Sequence, residues 1–165
     1  MEETGYNNIT FRAPGVEDAP KIYDIIKGSK PLDLNSEYCY LILCLHFFET
    51  CVVAEWNSRI IGFISAYIQP AKKDTLFVWQ VAVHQSARQK GVALKMLKHL
   101  LKRDVMMRIS FVETTVTPSN QASRMMFYSL AKDLETMCVE SDQFSEEMFD
   151  GDGHEREVLF RIGPF

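Results

Sequence analysis

No apolar run in the chain approaches the roughly 20 residues that a bilayer span requires. The longest, around residues 38–48, is interrupted by His46, so no membrane partner is expected. Cysteine is scarce and poorly spaced for metal: Cys39, Cys44, Cys51 and Cys138 include no CxxC pair, and three of them sit among apolar residues. That pattern argues against a zinc site and for buried free thiols in a reducing cytoplasm. A basic excess is missing too. The 18 Lys and Arg stand against 22 Asp and Glu, a net charge of −4, which argues against nucleic acid as a partner. The opening Met1-Glu2-Glu3-Thr4 is acidic and polar, so no secretory signal is expected. Internal repeats and low-complexity tracts are also absent. What remains is 165 residues at 47% hydrophobic content. A single domain over residues 1–165 can bury a core of its own from that material.

Periodicity divides the chain into alternating elements. Residues 9–12 read as a strand ended by Pro14-Gly15. Residues 17–26 carry apolar side chains at helical spacing and stop at Gly28, with Pro31 beyond. A second helix is expected from Asn35 or Ser36 to Phe47, after a short loop at residues 31–34. Three strands come next, at 50–55, 60–68 and 76–83. Asn57-Ser58 makes the first hairpin turn and residues 69–74 the second link. The next helix places Ala93, Met96, Leu97, Leu100 and Leu101 on one stripe. The β-branched run 111–116 then predicts a strand parallel to the one ending at Val83, because a helix separates them. Thr117-Pro118-Ser119-Asn120 caps a helix with Ala122, Met125, Met126 and Leu130 inward. A strand at 136–140, a polar loop over 141–155 and a strand at 158–162 complete the pattern.

The most informative stretch is Trp79-Gln80-Val81-Ala82-Val83-His84-Gln85-Ser86-Ala87-Arg88-Gln89-Lys90-Gly91-Val92-Ala93. An apolar strand enters a basic, glycine-containing turn that opens directly into an amphipathic helix. Such a junction aims backbone N–H groups and the positive end of a helix dipole at one point, and so suits a phosphate or pyrophosphate.

The order of elements, the run Arg88-Gln89-Lys90-Gly91-Val92-Ala93 and the later Asn120 together resemble the GNAT superfamily of N-acetyltransferases. Three further segments are similar to the diaminobutyrate acetyltransferases of ectoine biosynthesis, over about residues 9–165. They are Glu113-Thr114-Thr115-Val116-Thr117-Pro118-Ser119-Asn120, Phe149-Asp150-Gly151 followed by His154-Glu155, and Arg161-Ile162-Gly163-Pro164-Phe165. The resemblance implies an α+β fold: a mixed, mostly antiparallel sheet with a splayed parallel strand pair and helices on both faces. It also implies a homodimer, acetyl-CoA as co-substrate without a metal, and the 4-amino group of a small diamine as acceptor. Another amine acceptor, or a silent acyl-CoA-binding regulator on the same fold, stays open at this point.

Residue roles are implied by the same resemblance. Backbone amides of Gln89, Lys90, Gly91, Val92 and Ala93 would cradle the pyrophosphate, with Arg88 adding charge and Asn120 a further contact. Val81 and Val83 would pair with the pantetheine arm, and the Val81 N–H would polarise the thioester carbonyl. A Tyr seven residues after the Asn often protonates the leaving thiolate. Phe127 stands there instead, beside the cofactor, and leaves Tyr128 as candidate or solvent as the proton source. For the acceptor, Asp33, Tyr38, Trp79, His154 and Glu157 would line the pocket, or else be solvated loop residues and core aromatics. From the residues themselves, Glu113 is a carboxylate on an internal strand and the candidate base. A Glu in solvent at the mouth of the sheet is the alternative. Thr115 shares its face. His46 and His99 read as ordinary helix residues.

Overall fold

The computed structural model of the chain describes residues 8–150 and 153–165; Met1-Glu2-Glu3-Thr4 and Gly151 lie outside the described residues. Chain order is β1 (Thr10–Arg12), α1 (Ala19–Lys27), α2 (Glu37–His46), β2 (Val52–Trp56), β3 (Arg59–Ile68), β4 (Thr75–Val83), α3 (Val92–Leu101), β5 (Phe111–Val116), α4 (Gln121–Asp133), β6 (Cys138–Phe144) and β7 (Glu157–Ile162). Local chemistry sets most of these limits. Ser36 Oγ accepts from the Cys39 N–H at 3.2 Å to start α2, and Asn120 Oδ1 accepts from the Ser123 N–H at 3.2 Å to start α4. Asn57 and Ser58 take φ of 48° and 60°, the left-handed pair that a two-residue hairpin turn needs.

The seven strands form one sheet in the order β1-β2-β3-β4-β5-β7-β6, antiparallel except for β4 and β5. On one face α3 and α4 bury Met96, Leu97, Leu100, Phe127 and Leu130 against Leu76, Val78, Val112 and Phe160. On the other, α1 and α2 bury Ile22, Ile26, Tyr40 and Leu43 against Val53, Phe63 and Ala82. This is the mixed sheet with helices on both faces that the resemblance implied.

Two irregularities in β4 give the middle of the sheet its shape. The register of β4 against β3 slips between Ser65↔Gln80 and Ala66↔Val78, which leaves Trp79 as an extra residue. Leu76 and Val78 pack beneath α3 and α4; beyond the bulge Val81 and Val83 do so, while Ala82 turns to the α1–α2 core. Secondly, β4 pairs with β5 only at Thr75↔Phe111, Leu76↔Val112 and Phe77↔Glu113. Past that point β4 stays with β3 up to Val83, and β5 stays with β7 up to Val116. The parallel pair therefore splays, as expected.

Several sequence expectations need correcting. Thr50 belongs to a 3-10 turn before β2, not to the strand. In α3, Val92 takes the buried place expected of Ala93. In α4 the buried residues are Phe127, Leu130 and Ala131, whereas Ala122 and Met125 face solvent. Met125 lies about 160° around the helix from Phe127, so one large aromatic in the core decides the facing. The strand expected at 136–140 runs on to Phe144, paired with Glu157 of β7. Its polar composition reflects an edge strand exposed along nearly its whole length.

Candidate active site

After β4 the chain makes a 3-10 turn at Gln85–Ala87, and Gln89 and Gly91 then take φ of 61° and 71°. Two left-handed residues flanking Lys90 curl the backbone so that successive N–H groups face one concavity. The first-turn amides of α3 add donors that have no intrahelical acceptor, together with the positive end of the helix dipole. A Cβ built on Gly91 meets nothing within 4 Å. Space over the helix end is therefore open, and glycine is required for its φ rather than for packing. Arg88 is placed differently from the expectation. Its Nε donates to the Val83 carbonyl at 3.0 Å, and its outer nitrogen reaches Gly28 O at 3.3 Å and Ser29 Oγ at 3.4 Å. The guanidinium ties the turn to the end of α1. Lys90 Nζ bonds the Ser86 carbonyl at 3.0 Å.

The splay exposes backbone. His84 N–H donates to Ile61 O at 2.8 Å, and Phe63 faces Ala82 across the same ladder. By alternation the N–H and C=O groups of Val81 and Val83 point to the opposite edge, into the gap that β5 has left. Val83 O is already used by Arg88. Asn120 stands across the gap at the start of α4, and with Oδ1 engaged in its cap, its amide nitrogen can donate to a ligand.

A cavity of about 330 Å³ opens beside this gap. Asp33, Trp79, Thr115, His154 and Glu157 all line it, so the structure unites five of the expected acceptor-site residues, with Asn120 at the rim. The α1–α2 loop is held over it by side chains from below: Gln80 Nε2 donates to Asp33 O at 2.7 Å, Tyr40 Oη donates to Gln80 Oε1 at 3.3 Å, and the Asn35 N–H donates to Tyr40 Oη at 3.3 Å. His154 Nε2 lies 3.8 Å from Asp33 Oδ2 and 3.7 Å from Glu157 Oε1, and its ring stacks on Phe149 at 3.9 Å. Burial pushes the Glu157 carboxyl above the usual carboxylate range, against the pull of a hydrogen bond from Thr115 and the nearby His154. A carboxylate with that bias is a good proton acceptor.

Four expected roles do not fit the geometry. Glu113 is buried, but its carboxylate accepts from Gln69, from Lys72 at 3.1 Å and from Arg161. Burial alone would raise its carboxyl; those three donors outweigh burial and hold it below the usual range. A carboxylate so committed is a poor base. Tyr128 sits on the outer side of α4, where its hydroxyl meets Glu140 of β6 and lies 3.5 Å from Arg124. It faces away from the gap. Phe127 is core, packed on Phe160 with ring centroids 6.5 Å apart, and offers no surface to a cofactor. Tyr38 is 69% exposed on the first turn of α2 and does not line the cavity.

Gln80 and Tyr40 are the residues that the sequence reading missed. The available signal was a Gln inside an apolar strand, at a position now seen to be 4% exposed. The four cysteines are free, and burial drives Cys44 up to about 12 and Cys51 to about 11, so neither is a nucleophile. Among the described residues no helix is long and apolar enough to cross a membrane.

A backbone phosphate cradle, a splayed strand pair and an acidic pocket beside it define a class. The chain belongs to the acetyltransferase (GNAT) family, whose model matches residues 19–130, and whose members draw their acetyl group from acetyl-CoA. Within that family its relatives are narrower in kind. The chain is 48% identical over 159 residues to the L-2,4-diaminobutyric acid acetyltransferase of Marinococcus halophilus, covering 96% of this chain and 92% of that one. It is 47% identical over 156 residues to the enzyme of the same name from Halalkalibacterium halodurans, covering 94% and 82%. A solved structure of diaminobutyrate acetyltransferase EctA from Paenibacillus lautus, in complex with its substrate L-2,4-diaminobutyric acid and coenzyme A, superposes with a TM-score of 0.93. That pair shares 42% identity over 95% of each chain. The ribosomal-protein-S18-alanine N-acetyltransferase of Escherichia coli, at 14% identity and a TM-score of 0.73, shares the fold.

The residues present fit acetyl-CoA. The open space over Gly91 and the free backbone edge at Val81 are what a pyrophosphate and an amide-bearing arm would each need.

Proposed function

We propose that the enzyme transfers the acetyl group of acetyl-CoA to the 4-amino group of L-2,4-diaminobutyrate. One observation carries this reading: an acidic pocket built from Asp33, His154 and Glu157 opens directly onto the unpaired edge of β4. The co-substrate supplies an activated acyl group as a thioester. Around it the residues have separable tasks. Amides from Gln89 to Ala93 hold the pyrophosphate, the Asn120 amide nitrogen adds a donor, and Arg88 keeps the turn in shape. The Val81 N–H polarises the carbonyl, a contribution of about 3 kcal/mol for one such donor. Asp33 attracts the diamine.

An alkyl ammonium has a pKa near 10 and must lose a proton before it can attack. Glu157 accepts that proton, since burial has already biased it toward the protonated form. Solvent protonates the thiolate, because Tyr128 faces elsewhere. We place the enzyme in the cytoplasm as a single acetyltransferase domain over residues 1–165, working as a homodimer in osmolyte synthesis.

A test is to present acetyl-CoA with L-2,4-diaminobutyrate, polyamines and other amino acids, read thiol release, and locate the acetyl group by NMR. Turnover concentrated on diaminobutyrate with the product acetylated at N4 supports the reading. Equal turnover of unrelated amines, or none of diaminobutyrate, overturns it.

A further inference from the structure

The acidic cavity does not stand alone. A second cavity, of about 540 Å³, lies on the same face of the sheet and shares Trp79 and Thr115 with it. The two have opposite polarity. The first is lined by Asp33, Glu155 and Glu157. The second has one carboxylate in its lining, Glu113, which accepts from both Lys72 and Arg161, so the cluster carries one positive charge in excess. Lys72 spends one of its three N–H donors on Glu113, and its side chain is 50% exposed at the rim. Tyr67, Phe77 and Phe144 supply apolar walls. The ion cluster sits at Phe77↔Glu113, the last paired rung of the parallel strands, so it is anchored to the apex of the splay.

An α-amino acid needs that polarity. Its α-carbon bears an ammonium and a carboxylate that diverge from one point, and a site with acids alone would repel the second. We propose that Lys72 forms the subsite for the substrate α-carboxylate, across the Trp79–Thr115 neck from the acids that hold the amines. The inference rests on the diaminobutyrate reading. Gln69 adds a neutral donor beside Lys72, and Glu113 and Arg161 are positioning residues that hold the lysine in place. With the 4-amino group at the splayed edge, the α-ammonium toward Asp33 and the carboxylate toward Lys72, three points are fixed. Three fixed points distinguish L from D.

The test uses 1,3-diaminopropane, which is diaminobutyrate without its carboxylate. For the native enzyme, Lys72→Met and Lys72→Arg, kcat/KM is measured with L-diaminobutyrate, D-diaminobutyrate and 1,3-diaminopropane. Lys72→Met is expected to lower the ratio of L-diaminobutyrate to 1,3-diaminopropane tenfold or more, chiefly through KM, and to lower the L-to-D ratio with it. Lys72→Arg, which keeps the charge, holds both ratios within about threefold of native. Turnover of 1,3-diaminopropane shows that each variant is folded. If both ratios survive Lys72→Met in an enzyme whose native form acetylates L-diaminobutyrate, the carboxylate subsite is refuted and the substrate reading stands. A native enzyme inert toward L-diaminobutyrate refutes both.

Discussion

Two carboxylates on neighbouring strands, the buried Glu113 of β5 and the half-buried Glu157 of β7, are driven in opposite directions by what they touch. Glu113 meets two cations and an amide, and its carboxyl falls; at Glu157 burial outweighs the hydrogen bond from Thr115 and the nearby His154, and its carboxyl rises. Their uses divide accordingly. Glu157 must be ionised to take a proton, so kcat should decline as pH falls through a value above the ordinary glutamate range. Glu157→Gln should lower kcat by about 10²–10⁴ and abolish that acid limb in a pH–rate profile. Glu113 contributes stability instead. Its folded value lies below its unfolded one, so its contribution is complete above the unfolded value and disappears as pH falls through the folded value. Glu113→Gln should cost about 2 kcal/mol at neutral pH and flatten the acid side of a stability–pH curve measured by urea unfolding. An acid-insensitive native protein would contradict this assignment.

At the scale of elements, what could be read depended on whether an element's determinants were local. The phosphate turn was legible because its glycine, the basic residues and the helix stripe all lie within one run of fifteen residues. Gly91 illustrates the point. Gly91→Ala should cost about 1–2 kcal/mol for a side chain at positive φ and keep coenzyme A binding within tenfold. Gly91→Glu should lower affinity a hundredfold or more in calorimetry, since its carboxylate enters the space meant for phosphate. The bulge at Trp79 was not legible. It arises from pairing with β3, where Ser65 Oγ accepts the Gln80 N–H at 3.1 Å in place of a backbone carbonyl. Nor was the fate of Glu113, whose partner Arg161 lies 48 residues away. The sequence left Tyr128 and solvent both open as proton source; the buried Phe127 sets the helix phase and turns Tyr128 outward. Tyr128→Phe should therefore leave kcat within twofold of native, and a hundredfold loss would return the tyrosine to the reaction.

For the whole molecule, the decisive asymmetry is between the two sheet faces. Helices α3 and α4 pack the strands on both sides of the splay, from Val52 and Ile64 to Val112 and Phe160, whereas α1 and α2 reach only β2, β3 and the end of β4. The uncovered part of that second face, from β4 across β5 to β7 and β6, carries both cavities. Its outer boundary is β6, an edge strand with Val139 55% and Phe144 41% exposed, next to Met137 at 71%. Long exposed edges invite pairing with another chain. The proposed homodimer uses this edge, which would also wall the open cavity beside Gln143 and Phe144. Light scattering should give twice the chain mass of 19.0 kDa. Val139→Lys, which sets a charge on that edge, should shift the particle toward one chain and raise KM for the amine more than for acetyl-CoA. A native particle of one chain would end the dimer proposal and leave the cavity chemistry to Asp33, Lys72, His154 and Glu157 without a partner.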